Sequence, residues 1–128
     1  MRIYFMLKEE TVMKMLHVTI QTNKPEEEIN FYREYAGLTV QDDLRDKGKD
    51  IVFLGNSAGE TCIEVLYNPD SDNAGNRYLS VGFKAEDISA QREKMIEAGF
   101  APTPMVSPMP GVEFFFVTDP AGVTVQFM

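Results

Sequence analysis

Cysteine and histidine are almost missing from this chain: each occurs once, as Cys62 and His17. One cysteine cannot close an internal disulfide, so a reducing cytoplasm is the expected setting. Positive charge is also scarce, with 12 Lys and Arg against 20 Asp and Glu and a net charge of −8. That balance argues against nucleic acid or an anionic membrane as partner. It is compatible with a cationic small molecule, although surface acidity also serves solubility. No apolar run approaches the roughly 20 residues of a membrane span. The opening MRIYFMLKEETVMKM is too short and too charged for a secretory signal, and residues 1–14 read as an N-terminal extension, with Met13 or Met15 as alternative starts.

What remains is an ordinary globular composition: 128 residues, 44% of them apolar, enough for one compact domain over residues 15–128. A first strand fits Met15 to Thr22. Asn23 and Pro25 then open a helix over residues 25–36, with Glu26, Glu27 and Glu28 near the positive end of its dipole. Ile29, Tyr32 and Ala36 recur at helical spacing, and Gly37 ends the pattern. Strands follow at Leu38 to Leu44, Asp50 to Gly55 and Thr61 to Tyr67, with turns at Lys47-Gly48-Lys49 and Ser57-Ala58-Gly59. The stretch from Asn68 to about residue 77, rich in Asn, Asp, Pro and Gly, reads as a linker.

The pattern then restarts. Tyr78 to Phe83 is a strand, and residues 87–98 form a helix with Ile88, Met95 and Ile96 on one side and Gly99 at its end. Strand character resumes at Phe100 to Ser107. A loop at Pro108 to Gly111, a strand at Val112 to Val117, the turn Asp119-Pro120-Ala121-Gly122 and a last strand, Val123 to Met128, complete the chain. Gly37 and Gly99 lie about 62 residues apart, and the closing strands of the two halves are offset similarly. Two copies of one unit account for this: a βαβββ module over about 15–67, a linker over 68–77 and a second module over about 78–128. The fold class is therefore α+β. One helix covers one face of each sheet, so the other face must curve over a second sheet, a partner chain or a ligand.

Alternation sorts each strand into two faces. His17 and Thr19 oppose Val18 and Ile20; Cys62 and Glu64 oppose Ile63 and Val65; Ser80 opposes Val81; Thr124 and Gln126 oppose Val125 and Phe127. The mixed polar face is either a solvated outer surface or the wall of a ligand cavity. Phe114, Phe115 and Phe116 alternate in direction, so either Phe115 or the pair Phe114 and Phe116 could line a pocket, with core packing the favoured reading. Glu26, Glu27, Glu28 and Glu86 read as solvated helix starts. Pro102 to Pro110 reads as a stiff rim or as an edge made unfit for aggregation.

The βαβββ duplication, the stretches MLHVTIQT and CIEVLYN, the helix end EYAGL with its echo EAGF, and the closing FFFVTDPAGVTVQFM resemble the vicinal oxygen chelate superfamily of glyoxalases, bleomycin-resistance proteins and extradiol dioxygenases. The resemblance covers roughly residues 15–128 and implies two modules whose curved mixed sheets enclose a cavity. In metal-dependent members each module gives one ligand from its first strand and one from its last. Matching strand to strand, those positions are His17 and Glu64, then Ser80 and Gln126, at nearly equal offsets. Ser80 stands where a ligating histidine is common and Gln126 where a glutamate is usual. A serine hydroxyl is a poor ligand for a borderline metal, and an amide cannot act as a base. With one histidine in the chain, the two-histidine iron site of the dioxygenases is set aside.

The resemblance thus implies a small-molecule-binding protein with a polar cavity lined by His17, Thr19, Cys62, Glu64, Ser80, Thr124 and Gln126, and with no cofactor. Cys62 is read there as a small hydrophobe rather than a nucleophile. The alternative is a lyase or isomerase resembling lactoylglutathione lyase. In that reading His17, Glu64 and Gln126 would hold zinc or nickel, and Glu64 would be the catalytic base. A third possibility is an interaction domain with no ligand. The resemblance also implies a homodimer, because short members close their cavities by pairing modules between chains.

Overall fold

The computed structural model describes residues 13–76 and 78–128. The first module runs β1 (His17–Thr22), α1 (Pro25–Tyr35), β2 (Thr39–Asp43), β3 (Ile51–Gly55) and β4 (Cys62–Tyr67). The second runs β5 (Ser80–Phe83), α2 (Ile88–Glu97), β6 (Val106–Met109), β7 (Val112–Thr118) and β8 (Thr124–Phe127). Each module forms a four-stranded sheet, ordered β1-β4-β3-β2 and β5-β8-β7-β6. The first strand of each module pairs in parallel with its last, and the other pairings are antiparallel. The α+β duplication expected from the sequence is the fold. Most of the anticipated N-terminal extension lies outside the described residues.

The elements end where local chemistry ends them. Pro25 sits at the first turn of α1, where its missing N–H leaves nothing unpaired, and Gly37 follows the helix with φ of +70°. Asp87 caps α2 by accepting from the Ala90 N–H at 3.0 Å. Residues Lys47 to Lys49, expected as a simple turn, are preceded by a short 3-10 helix over Arg45–Lys47, after which Gly48 adopts φ of +78°.

Two expectations need correction. The strand expected over Phe100 to Ser107 starts only at Val106, because Pro102 and Pro104 cannot donate to a ladder, and it runs on to Met109, into the stretch expected as a loop. Ile96, expected beside Met95 on the buried side of α2, is 43% exposed while Met95 is fully buried. Met95 lies seven residues, about two turns, after Ile88, whereas its neighbour Ile96 is rotated roughly 100° away.

Ile29 of α1 shares one buried cluster with the inward residues Val52, Leu54, Ile63 and Val65 of its own sheet. Tyr32 and Phe31 reach the other module: the Tyr32 ring meets Phe83 of β5 at 5.9 Å. Phe31 is likewise buried. Its ring lies edge-on to Phe100 at 5.3 Å, and Tyr35 meets the same ring at 5.5 Å. Such pairs add roughly 0.5–1.5 kcal/mol each beyond the apolar area they bury. Thus α1 serves both modules. Its end also receives Gln91 Nε2 on the Tyr35 carbonyl and Lys94 Nζ on the Glu34 carbonyl.

The segment between modules has the composition of a tether, yet it is fastened along its length. Asn68 Nδ2 donates to Gln21 Oε1, Ser71 Oγ to the Gln21 carbonyl, and the wholly buried Thr22 Oγ1 to Asn73 Oδ1 at 2.7 Å. Asn73 takes a left-handed φ of 53°, a conformation Asn tolerates better than most residues. The Asn73 carbonyl there lies so close to Gly122 that an added Cβ on Gly122 would sit 2.1 Å from it.

Candidate functional site

The helices cover one face of each sheet, and the positions alternating with the buried ones form the opposite, concave faces. On β1 and β4 the buried residues are Ile20, Thr22, Ile63 and Val65. His17, Thr19, Cys62 and Glu64 therefore stand on the concave face. On β5 and β8 the inward residues are Val81, Phe83, Val125 and Phe127, which leaves Ser80, Gly82, Thr124 and Gln126 on the concave side.

Parallel pairing sets Thr19 beside Glu64 and His17 beside Cys62. The Thr19 hydroxyl donates to Glu64 Oε1 at 2.5 Å, and His17 Nε2 lies 3.4 Å from the same oxygen. The His17 ring also meets Phe53 of β3 edge-on at 5.6 Å. Glu64 is the less accessible partner, its side chain 14% exposed against 38% for His17. Cys62 packs over Gly55, where an added Cβ would come within 3.1 Å of the thiol sulfur, and its Sγ lies 3.4 Å from the Glu60 carbonyl.

The second sheet contributes neutral groups. Ser80 lies beside Thr124, and Gly82 beside Gln126. An added Cβ on Gly82 would make ordinary contact with Gln126 Oε1 at 3.9 Å, so a small side chain fits there. Phe116 pairs with Gln126 in the ladder, and its ring meets that of Phe114 at 5.6 Å. Phe115, by contrast, is wholly buried against Phe127. The three consecutive phenylalanines thus divide: one in the core, two on the concave wall.

Among the described residues no hydrogen bond, ion pair or ring contact links His17, Thr19 and Glu64 to Ser80, Thr124 or Gln126. Of the sequence-derived set, Thr19 and Ser80 are brought together by one cavity of about 320 Å³ between the sheets, along the edges of β1 and β5, with Val18, Asp72, Leu79 and Val81 among its other walls; His17, Cys62, Glu64, Thr124 and Gln126 do not line it. Asp72 was not singled out in the sequence, where it was one of two acidic residues in the linker.

All eight strands lack lysine and arginine. Among the described residues the basic side chains are confined to helices, turns and connecting segments, and several are engaged there. Arg45 pairs with Glu26 and with Asp43, whose carboxyl it holds down at about 2. The concave positions of β1, β4, β5 and β8 therefore present one carboxylate, one imidazole, one thiol, and neutral hydroxyls and amides, with the rings of Phe53, Phe114 and Phe116 beside them.

A resident transition metal does not fit this donor set. One imidazole and one carboxylate converge, but Ser80 and Gln126 are neutral and lie on the other sheet. No three His, Cys, Asp or Glu side chains gather as a cluster among the described residues.

Paired βαβββ modules with a polar concave face define a glyoxalase-like protein. Residues 14–127 match the Glyoxalase/Bleomycin resistance protein/Dioxygenase superfamily, and the chain belongs to it. No curated protein matches the sequence. Solved structures show the same fold. A trypanothione-dependent glyoxalase I from Leishmania major is 24% identical, covering 91% of this chain and 86% of its own, with a TM-score of 0.72. TnmS3, an antibiotic binding protein from Streptomyces sp. CB03234, is 15% identical over 91% and 95%, with a TM-score of 0.69. The fosfomycin resistance protein FosX from Listeria monocytogenes is 13% identical over 91% and 93%, with a TM-score of 0.74. At these identities the likeness shows the fold alone. No helix among the described residues is long and apolar enough to cross a membrane.

Proposed function

We propose that this protein binds a small cationic molecule with an aromatic portion in the cup between its concave sheets, and that it does so without a metal. The observation that carries this reading is Glu64. It is the one carboxylate side chain among the concave positions of β1, β4, β5 and β8, it is oriented by Thr19, and none of the described strands carries a lysine or arginine. A part-buried carboxylate among aromatic and hydroxyl groups favours a positive ligand over an anion. Phe53, Phe114 and Phe116 offer the rings. The exposure of His17, Thr19 and Ser80 in the single chain supports a second copy closing the cup as a homodimer.

Calorimetric titration tests this, using a cationic aromatic glycopeptide of the bleomycin type beside an anionic glutathione thioester. The glycopeptide is expected to bind and Glu64→Gln to weaken it by about tenfold or more, the scale of one charge-assisted hydrogen bond. Binding of the anionic compound alone would overturn the proposal. Light scattering that finds only monomer at micromolar concentration would remove the dimer from it.

The His17–Glu64 approach supports one second reading, a lyase or isomerase using zinc or nickel with Glu64 as base. Stoichiometric metal in protein purified without chelator, lost on His17→Ala, would put that reading first.

A further inference from the structure

The first helix carries three consecutive glutamates, and the third does not behave like the others. Glu28 is wholly buried, whereas Glu26 and Glu27 are exposed. This corrects its assignment as a solvated helix start. Glu28 faces the turn between β7 and β8 of the other module, where Asp119 is 4% exposed. Two carboxyl groups therefore meet at the module junction, away from water.

We propose that Glu28 and Asp119 share a single proton across the junction, which makes the docking of the two modules pH-sensitive. The hydrogen bonds assign the proton. Asp119 already accepts from the Tyr32 hydroxyl at 2.6 Å, the Ala121 N–H at 2.9 Å and the Val123 N–H at 2.8 Å. Glu28 Oε1 accepts from the Ala121 N–H at 3.1 Å, and Glu28 Oε2 is buried with no donor. A proton on Oε2 turns that orphan into a donor toward Asp119 and removes one of two like charges.

Among the described residues no cation offers another solution: the titratable group acting on Glu28 is Asp119, those acting on Tyr32 are Asp119 and Glu28, and no described Lys, Arg or His contributes. Burial, then the hydrogen bond and charge of Asp119, push the Glu28 carboxyl up to about 10. A group raised in the folded state gives stability that is complete below its unfolded value of 4.5 and is lost as pH rises through about 10. Across neutral pH, folding thus takes up one proton at this pair.

Urea unfolding of the full chain at several pH values between about 5 and 9 tests this against Glu28→Gln. The amide keeps both roles of a protonated Glu28, accepting from Ala121 and donating to Asp119, but cannot ionise. The wild-type folding constant is expected to fall by up to about tenfold per pH unit more steeply than that of the variant. Parallel slopes would overturn the proposal. Infrared difference spectra in heavy water keep it falsifiable if the variant fails to fold. A carboxylic-acid carbonyl band is expected in the wild type at neutral pH, and its absence would overturn the shared proton. Where the variant folds, the band should vanish; a band that survives Glu28→Gln would equally count against it.

Discussion

The hydroxyl of Tyr32 donates to Asp119 Oδ2 at 2.6 Å, so the helix of the first module is bonded to the last turn of the second. Both groups are buried, and Asp119 also organises its own turn through the Ala121 and Val123 amides. One side chain thus shapes a turn and docks a module.

Removing that bond leaves a buried carboxylate oxygen without its donor. Tyr32→Phe keeps the ring packing against Phe31 and Phe83 and should lower stability by about 1–3 kcal/mol, the penalty for an orphaned buried acceptor. A shift of the urea midpoint with unchanged slope is the expected result. No shift would mean that Asp119 finds another partner.

Gly122 has two reasons to be glycine. Its φ is +84°, and an added Cβ would press on the Asn73 carbonyl. Gly122→Ala should therefore destabilise by more than the about 1 kcal/mol of an ordinary left-handed alanine. Gly37→Ala, with φ of +70° and nothing within 4 Å of an added Cβ, is the control for the backbone strain alone. Comparing their thermal midpoints isolates the close approach.

Thr19→Val should leave the fold unaltered, because Thr19 is exposed, but it deprives Glu64 of its shortest hydrogen bond. If Thr19 orients the carboxylate toward the cup, affinity for the cationic glycopeptide falls severalfold, in keeping with about 1 kcal/mol for one hydrogen bond. Unaltered affinity alongside a large loss in Glu64→Gln would show that Glu64 needs no orienting hydroxyl.

Adding donors should bring a metal site closer. Ser80→His combined with Gln126→Glu supplies an imidazole and a carboxylate on the second sheet, and zinc or nickel affinity is expected to rise at least tenfold over the unmodified protein. Metal titration followed by elemental analysis reads the change. No gain would mean that the two sheets do not converge on one point.

The fold was legible because its signals are local: period-two alternation in the strands, the Pro25 and Asp87 helix starts, and glycines at 37 and 99. The polar concave positions were legible for the same reason, since alternation alone assigns a face. Glu28 was not. In the sequence it belongs to an acidic run at a helix start, and what buries it is a turn around Ala121, 93 residues further along. Phe31 was hidden similarly, because it lies off the stripe that faces its own sheet and packs on Phe100 of the other module. The linker misled through composition: Asn, Ser and Gly suit a mobile tether, but here their polar groups bond to Gln21, Thr22 and Asn23.

That fastened linker bears on how such a protein could be recombined. Asn73 is held by Thr22 and Asn23 from the first half while its backbone fits against Gly122 of the second. The joint has parts from three separated stretches of sequence, so no single crossover point divides it cleanly. A chimera that grafts a foreign second half after Tyr67 must bring a matching turn along with residues 68–76. Otherwise the two halves meet at a seam that neither ancestor was selected to close.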